Sequence, residues 1–298
     1  MTEEHARRQV ANSVRRYRSA HRRYERRHPE IFNPREQDRL RRALAAALER
    51  TAPAGERPRA LDLGCGSGNV TRHLIALGAE VTAADVSPAF LKVVARRFGP
   101  AVRTLELNGI DLAGVDDAGF DLVTAYSVLH HVPDYLRLLD EVARVLRPGG
   151  AAYLDHEVTE AFWDPASDVN AFRRALREWE LTRPGAWNPQ RRRWQRYLMP
   201  SKYALGLRLL IDPDYLYGSE GDIHVWEHDH VEWSLVRARL EAAGLEVVSV
   251  DDHLGFSAEY PEELYETYRA RGTADMRTLV AQRTRRSSAQ AEPAMRAP

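Results

Sequence analysis

The feature that most constrains this chain is a glycine-rich run over residues 61–69, which reads Leu-Asp-Leu-Gly-Cys-Gly-Ser-Gly-Asn. Its apolar start predicts a short buried strand. The alternating glycines Gly64, Gly66 and Gly68 predict a tight turn, and a helix is expected to start near Val70. Glycine has no Cβ atom, so a ligand can approach the turn closely. The free N–H groups of the following helix would face that ligand. The run therefore predicts a strand–turn–helix unit suited to ligand binding.

An acidic residue at the end of the next predicted strand limits the classes of ligand that fit the turn. Residues 81–85 read Val-Thr-Ala-Ala-Asp, so the strand ends at Asp85. A carboxylate there can accept hydrogen bonds from both hydroxyls of a ribose. The pattern disfavours a dinucleotide, because Asn69 stands at the third glycine of G-x-G-x-x-G, and no Gly-Lys-Ser/Thr follows for a P-loop. The turn and Asp85 predict a nucleoside-containing cofactor, with a purely structural turn as the alternative.

The segments that follow alternate between strand and helix patterns. Strands are expected over residues 102–107, 120–126 and 151–155, and helices over 89–98 and 135–146. The second of these helices ends in the stop signal Arg-Pro-Gly-Gly. Such alternation predicts an α/β fold with a parallel sheet.

The run at 61–69, followed by the phrases FDLV, LHHV and LRPGG in this order and spacing, resembles the class I S-adenosylmethionine-dependent methyltransferase family of the small-molecule type. The resemblance is close over about residues 58–157. It implies a seven-stranded Rossmann-like methyltransferase sheet with N-terminal helices and an inserted lid. Residues 245–250 would form the sixth strand, and 277–282 an antiparallel edge strand. It also implies an enzyme that uses S-adenosylmethionine and releases S-adenosylhomocysteine.

The resemblance implies the positions that would bind the cofactor. Asp85 would hold the ribose, Val86 would pack on the adenine, and Tyr126 would lie close to the methionine part. Asn108 stands where many relatives have aspartate, and its carbonyl oxygen could meet the adenine amino group. The full set of expected cofactor contacts is Gly64, Cys65, Gly66, Gly68, Asp85, Val86, Asn108, Gly109, Tyr126 and Tyr24.

Two further interpretations concern members of this region. Tyr24, Phe32 and Asn33 are candidates for closing the cleft from the N-terminal segment, with packing between the N-terminal helices as the alternative. Cys65 is interpreted as a small residue within a ligand turn rather than as a nucleophile.

Paired histidines follow the fourth predicted strand, at the mouth of the expected crevice. Methyl transfer to a hydroxyl is helped by a base, and histidine titrates near neutral pH. The LHHV phrase resembles that of small-molecule and sugar O-methyltransferases, which implies catalytic roles for His130, His131 and Asp155, with His131 favoured as the base. The alternative is that one histidine faces the core. The predicted function is methyl transfer to a hydroxyl of a natural product or sugar, in secondary or glycan-related metabolism.

Other functions stay open at this stage. They are N- or C-methylation of a small molecule, methylation of RNA or protein through the arginine-rich helix expected over residues 5–28, and a cofactor-fold protein without transfer activity. A formal net charge of zero disfavours a nucleic-acid partner. The expected partner is a small-molecule acceptor, and a homodimer is compatible with the sequence.

No metal site is predicted from the spacing of polar residues. Asp155, His156 and Glu157 are consecutive, and four further candidates lie at His224, His228, Asp229 and His230. These positions match no helical i, i+4 ligand pair backed by a third defined ligand.

A tryptophan-rich insertion is expected over the crevice, because it follows the carboxyl end of the fifth strand. It holds Trp163, Trp179, Trp187, Trp194 and Trp226, which could line an acceptor pocket or form the insertion's own core. The expected organisation is an N-terminal helical segment (1–57), the cofactor-binding core (58–157), the lid and acceptor region (158–228), the completion of the core (229–284) and a disordered tail (285–298).

Three features predict a cytoplasmic protein. Cys65 is the single cysteine, so no internal disulfide forms, which fits a reducing compartment. Residues 1–10 are charged and do not resemble a signal peptide. No run of about 18 apolar residues exists that could span a membrane.

Overall fold

The computed structural model describes residues 3–20, 24–51, 55–182 and 222–285. Its central sheet has seven strands, and two further short strands form a separate ribbon. The strands are Arg59–Leu63 (β1), Glu80–Asp85 (β2), Val102–Glu106 (β3), Phe120–Tyr126 (β4), Leu146–Val158 (β5), Val225–Trp226 (β6), Asp229–His230 (β7), Leu245–His253 (β8) and Met276–Arg283 (β9).

Helices cover both faces of the sheet. In the described residues they are Glu3–Ala20 (α1), Tyr24–Arg27 (α2), Pro34–Thr51 (α3), Asn69–Ala76 (α4), Pro88–Phe98 (α5), Tyr135–Val145 (α6), Asp168–Thr182 (α7), Trp233–Ala242 (α8) and Glu262–Ala270 (α9). The helix predicted over residues 5–28 coincides with α1 and α2, and residues 21–23 between them lie outside the described ranges. None of these helices is long and apolar enough to cross a bilayer.

The strand order of the sheet is β3-β2-β1-β4-β5-β9-β8. Strands β1 to β5 are parallel, and β9 runs antiparallel to both of its neighbours. The order reverses between β1 and β4, and a sheet of this kind binds its ligand beyond the carboxyl ends of the strands at that point. The predicted α/β fold with a seven-stranded sheet is therefore confirmed.

The predicted edge position of the last strand is wrong. β9 lies between β5 and β8, and its residues Thr278, Leu279, Val280 and Ala281 are buried because strands pair with it on both sides. The sheet ends at β8 instead. Strand β5 is also longer than predicted, because Leu146 pairs with Phe120 at its start and β9 continues the pairing at its end.

The two larger apolar clusters of the core lie on opposite faces of the sheet. On one face α6 and α8 bury Leu139, Val142 and Leu240 against β1, β4 and β5. On the other face α3 and α4 bury Leu44 and Leu74. The two layers hold the carboxyl ends of β1, β2 and β4 in fixed positions, which is where the candidate site lies.

The tryptophan-rich insertion is described only in part, since residues 183–221, with Trp187 and Trp194, lie outside the described ranges. Its first helix, α7, packs Phe172 and Leu176 against Leu254 and against Tyr265 of α9. The predicted disordered tail falls beyond residue 285 and is likewise not described.

Candidate active site

The glycine turn follows β1 and is held against β2. The N–H of Cys65 donates to the carbonyl of Ala84 at 3.0 Å. Gly64 has a φ of 60°, and a Cβ atom on it would lie 2.6 Å from Cγ2 of Val128. This position therefore accepts only glycine without strain, because L-residues rarely adopt such a φ and no space is left for a side chain.

The carboxylate of Asp85 faces the turn from the end of β2. Its Oδ2 accepts the N–H of Gly66 at 2.9 Å, and its Oδ1 accepts the N–H of Ser87 at 2.8 Å. Burial raises the pKa of Asp85 to about 6, against the opposing effect of backbone hydrogen bonds from Gly66, Ser87 and Val86. Each oxygen still has acceptor capacity, since a carboxylate offers about four lone-pair sites.

One cavity brings most of the predicted cofactor residues together. Apolar side chains from β1, α5 and the loop after β3 line it together with Asp85. The predicted residues that line this cavity are Gly64, Gly66, Asp85, Val86, Gly109, Tyr126 and Tyr24.

Three predicted cofactor residues do not line this cavity. Cys65 packs against Ala83, Leu91 and Val94 in a small core cluster. A Cβ on Gly68 would meet the ring of Phe98 at 2.6 Å, so Gly68 permits close packing of α5 against the turn. Asn108 accepts from the N–H groups of Ile110 and Asp111 and so fixes its own loop.

The N-terminal segment closes one side of the cavity. The ring of Tyr24 lies 6.1 Å from that of Phe32 and 5.5 Å from that of Phe90. Val10 and Ser13 of α1 also line the cavity, and neither was predicted as a site residue. The apolar character of Val10 in a charge-rich helix was the available signal. Asn33 lies elsewhere: its Oδ1 accepts the N–H of Glu36 at the start of α3.

The two histidines occupy different environments. His131 lines the cavity, and its Nδ1 lies 3.4 Å from Oδ1 of Asp222. His130 is turned towards β5, with Nδ1 2.7 Å from Oε2 of Glu157. Burial alone would lower the pKa of His130, but the negative charge and hydrogen bond of Glu157 outweigh this, with help from Asp222, and raise it.

Asp155, the third predicted catalytic residue, is fully buried and does not line the cavity. Its Oδ1 accepts from Thr278 Oγ1 and from the N–H of His156, both at 2.7 Å. Its Oδ2 accepts from Arg39 Nη2 at 2.8 Å and from the Tyr153 hydroxyl. Burial opposes ionisation, but Arg39 holds the pKa of Asp155 below its ordinary value. All acceptor sites are filled, an arrangement that fits a structural acceptor rather than a base.

Glu36 and Arg39 of α3 were not predicted from the sequence. Arg39 bridges Asp155 and Glu36, and the hydroxyl of Tyr126 donates to Oε1 of Glu36 at 2.8 Å. Tyr126 also lines the cavity, so this buried network supports one of its walls. No local pattern marks these two residues, since they look like ordinary charged positions on an amphipathic helix.

Comparisons with known proteins agree with this geometry. A protein family described as "Methyltransferase domain" matches residues 61–154. The ubiquinone biosynthesis O-methyltransferase of Xanthomonas oryzae pv. oryzae is 39% identical over 104 residues, which cover 32% of this chain and 41% of that protein. The match thus spans less than half the length of this curated relative.

Two solved structures share the fold. An S-adenosylmethionine-dependent methyltransferase from Mesorhizobium loti aligns with a TM-score of 0.50 at 23% identity, over 80% of this chain and 96% of that one. The YcgJ protein of Bacillus subtilis aligns with a TM-score of 0.50 at 18% identity, over 84% of this chain and 100% of that one. The match over residues 61–154 identifies a methyltransferase domain in this chain, and the sheet order and the glycine turn at its switch point agree with the resemblance to the class I S-adenosylmethionine-dependent family.

Proposed function

We propose that this protein transfers a methyl group from S-adenosylmethionine to a hydroxyl of a small molecule, with His131 as the general base. One observation carries the proposal. The imidazole of His131 lines the same cavity as the glycine turn and Asp85. A candidate base and a candidate nucleoside-binding carboxylate therefore share one cavity, as a positioned transfer to a hydroxyl needs.

The residues of the cavity fit the cofactor. Asp85 has acceptor sites left for the ribose hydroxyls, and its position at the end of β2 suits that role. Val86 and Leu112 offer apolar surface for an adenine ring, and Gly64 lines the same cavity at the turn. When bound there, S-adenosylmethionine supplies a methyl group already activated by its sulfonium.

His131 would take up the proton of the acceptor hydroxyl. Because Nδ1 faces Asp222, the other ring nitrogen, Nε2, is the one proposed to accept it. The carboxylate of Asp222 would stabilise the imidazolium that forms. His130 and Glu157 are positioning residues in this scheme, because they fix the loop from which His131 projects.

Oxygen is favoured as the acceptor atom for two reasons. The matched Xanthomonas protein is named as an O-methyltransferase. An oxygen acceptor also benefits more from a base than a neutral amine does, and this cavity has an imidazole in its wall. We infer further that residues 158–228 contribute the acceptor-binding region, because they follow the carboxyl end of β5.

The proposal is tested by incubating the full chain with labelled S-adenosylmethionine and a panel of phenols, hydroxylated natural products and sugars. The His131→Gln variant should lower kcat by about 10²- to 10⁴-fold, while the Kd of the cofactor stays within about threefold. His73→Gln is the control. It removes an imidazole of α4 that is bonded to Gln37 of α3, and it should retain activity.

Other outcomes would redirect the proposal. Methyl transfer to nitrogen or carbon on the same panel would contradict hydroxyl methylation and support the N- or C-methyltransferase alternative. Unchanged kcat in His131→Gln would remove His131 from the role of base. Tight cofactor binding without transfer to any acceptor would favour a protein that kept the fold and lost the reaction.

A further inference from the structure

Three side chains that are far apart in the sequence meet beside the network of Arg39. They are Glu36 of α3, His156 of β5 and His253 at the end of β8. Each offers one candidate ligand atom, and the three atoms lie within 4.8 Å of one another. The meeting point therefore combines two imidazoles and one carboxylate from three separate elements.

The two imidazoles lack hydrogen-bond partners for most of their ring nitrogens among the described residues. Both ring nitrogens of His253 and Nδ1 of His156 are shielded from solvent and have no hydrogen-bond partner among the described residues. His156 itself is only 8% exposed. Buried polar atoms are usually hydrogen-bonded, because leaving one unpaired is costly. Three such atoms on two neighbouring imidazoles call for a partner beyond the described residues.

The backbone holds His156 in a constrained position. Its φ of 61° places it in the left-handed region, which non-glycine residues seldom adopt. Its ring stacks on Tyr126 with centroids 4.7 Å apart and planes 8° apart. Strained residues that the surroundings fix in this way cluster at functional sites.

Glu36 keeps one acceptor site for a further partner. Its Oε1 accepts from Arg39 Nη2 at 2.6 Å and from the Tyr126 hydroxyl at 2.8 Å. Among the described residues, its Oε2 accepts from Arg39 Nε alone, at 2.8 Å. Since each carboxylate oxygen has two lone pairs, Oε2 has one left. Arg39 and Tyr126 also fix the orientation of this carboxylate, as outer-shell partners of metal ligands do.

We propose that Glu36, His156 and His253 bind one divalent transition-metal ion, with zinc as the best match. Two imidazoles and one carboxylate are a known donor set for zinc, and imidazole ligands disfavour magnesium and calcium. Ligand atoms of a tetrahedral zinc site lie about 3.4 Å apart, so small side-chain rotations would close this group around an ion. Glu36 and Asp155 outnumber Arg39 here, which leaves a net negative charge to be balanced.

A second group, His130, His131 and Asp222, also lies within 4.8 Å. There Nδ1 of His130 is bonded to Glu157, and His131 faces Asp222. The contacts within the loop after β4 therefore explain why His130, His131 and Asp222 lie close together. In the Glu36 group, by contrast, three imidazole nitrogens have no partner among the described residues, and this is why the ion is assigned to it.

The ion would join α3 to the carboxyl ends of β5 and β8, behind Tyr126. This role goes beyond the proposed methyl transfer and does not depend on it. No metal was predicted from the sequence, and Glu36, His156 and His253 are too far apart in the chain to form a local ligand motif.

The test measures metal binding in the full chain without cofactor or acceptor. Protein stripped with a chelator is titrated with zinc chloride and, separately, with magnesium chloride, and its metal content and Tm are recorded. We expect one zinc per chain, a rise in Tm on adding zinc of at least about 3 °C, and no response to magnesium. Cobalt substitution should give the visible absorption of a site with nitrogen and oxygen ligands.

Variants locate the ion. His253→Gln should lower zinc affinity by more than about tenfold and abolish the rise in Tm. Its metal-free form should remain folded, since the ring nitrogens of His253 bond to no described residue. His73→Gln should bind zinc as the wild type does. The proposal is overturned if zinc leaves the wild-type Tm unchanged, if His253→Gln retains the affinity, or if only His131→Gln loses it.

Discussion

Nδ1 of His130 lies 2.7 Å from Oε2 of Glu157, and this contact closes the loop after β4. The other oxygen of the same carboxylate accepts the N–H groups of Val128, at 2.9 Å, and Leu129, at 2.7 Å. One buried carboxylate of β5 thus fixes three consecutive residues of the loop. His131 projects from the end of this segment into the cavity, so its position depends on Glu157 although the two are not bonded to each other in the contacts described here.

The Glu157→Gln variant should lose stability in a pH-dependent way. Glutamine can still accept the two backbone N–H groups but no longer attracts protonated His130. Because the folded pKa of His130 is raised above 6.5, its contribution is fully present below that pH and is lost as the pH rises through the folded pKa. We expect a loss of about 1.5–3 kcal/mol in the free energy of unfolding at about pH 5.5, and a smaller one at about pH 8.5.

Chemical denaturation at both pH values measures this difference. Glu160→Gln is a suitable control, because Glu160 pairs with Arg277, which does not titrate in this range. A loss for Glu157→Gln that grows with pH would contradict the assigned interaction.

Asp85→Asn should weaken cofactor binding by about 10- to 100-fold, because hydrogen bonds to a charged acceptor are lost. In the wild type, affinity should also fall as the pH drops through about 6, where Asp85 becomes protonated. The variant should show no such fall. Calorimetric titration with S-adenosylhomocysteine from pH 5 to pH 8 measures both effects, and Glu106→Gln, at the exposed end of β3, should behave as the wild type. A pH-independent wild type would exclude Asp85 as the titrating group.

The same substitution should not destabilise the fold at high pH. The folded pKa of Asp85 lies above its ordinary value of 3.8, so the ionised carboxylate is disfavoured in the folded state above about pH 6. At about pH 8 the Asp85→Asn variant should therefore be at least as stable as the wild type in chemical denaturation.

Asp155→Asn should destabilise the protein by about 3–5 kcal/mol, because it leaves buried Arg39 with one carboxylate partner in place of two. The folded pKa of Asp155 is lowered, so its contribution is present at neutral pH and is lost only as the pH falls through that value. Thermal unfolding measures the loss, and Asp38→Asn, in an exposed pair on the same helix, should have little effect. A fall in kcat with unchanged Tm would instead restore the predicted catalytic role.

Gly64→Ala should cost more stability than Gly78→Ala. Both glycines have a positive φ, but a Cβ on Gly78 meets nothing within 4 Å, whereas one on Gly64 meets Val128. Each variant should lose about 1–2 kcal/mol from the backbone conformation alone. Adding Val128→Ala to Gly64→Ala tests the remaining difference, which should shrink when the contact is removed. Equal losses for the two single variants, measured by denaturation, would show that Val128 moves aside freely.

Local patterns predicted much of the sheet. Strand β4 was expected over residues 120–126 and is found there, and the turn and Asp85 share the predicted crevice. These features depend on side chains close together in the chain, where apolar periodicity and glycine placement are direct signals. The edge position given to β9 was wrong because strand order depends on pairing between distant segments, which no local period encodes.

By itself, the sequence determined a parallel sheet whose first strand ends in a glycine turn. It also determined that an acidic residue, Asp85, ends the next strand. Both are local consequences of backbone freedom and apolar alternation. Only the tertiary structure decided that Asp155 is saturated by Arg39 and its neighbours, and that His130 and His131 have different surroundings. It also brought Glu36 to His156 and His253. The reason is physical: whether a polar side chain has a free lone pair depends on which distant groups the folded core places against it.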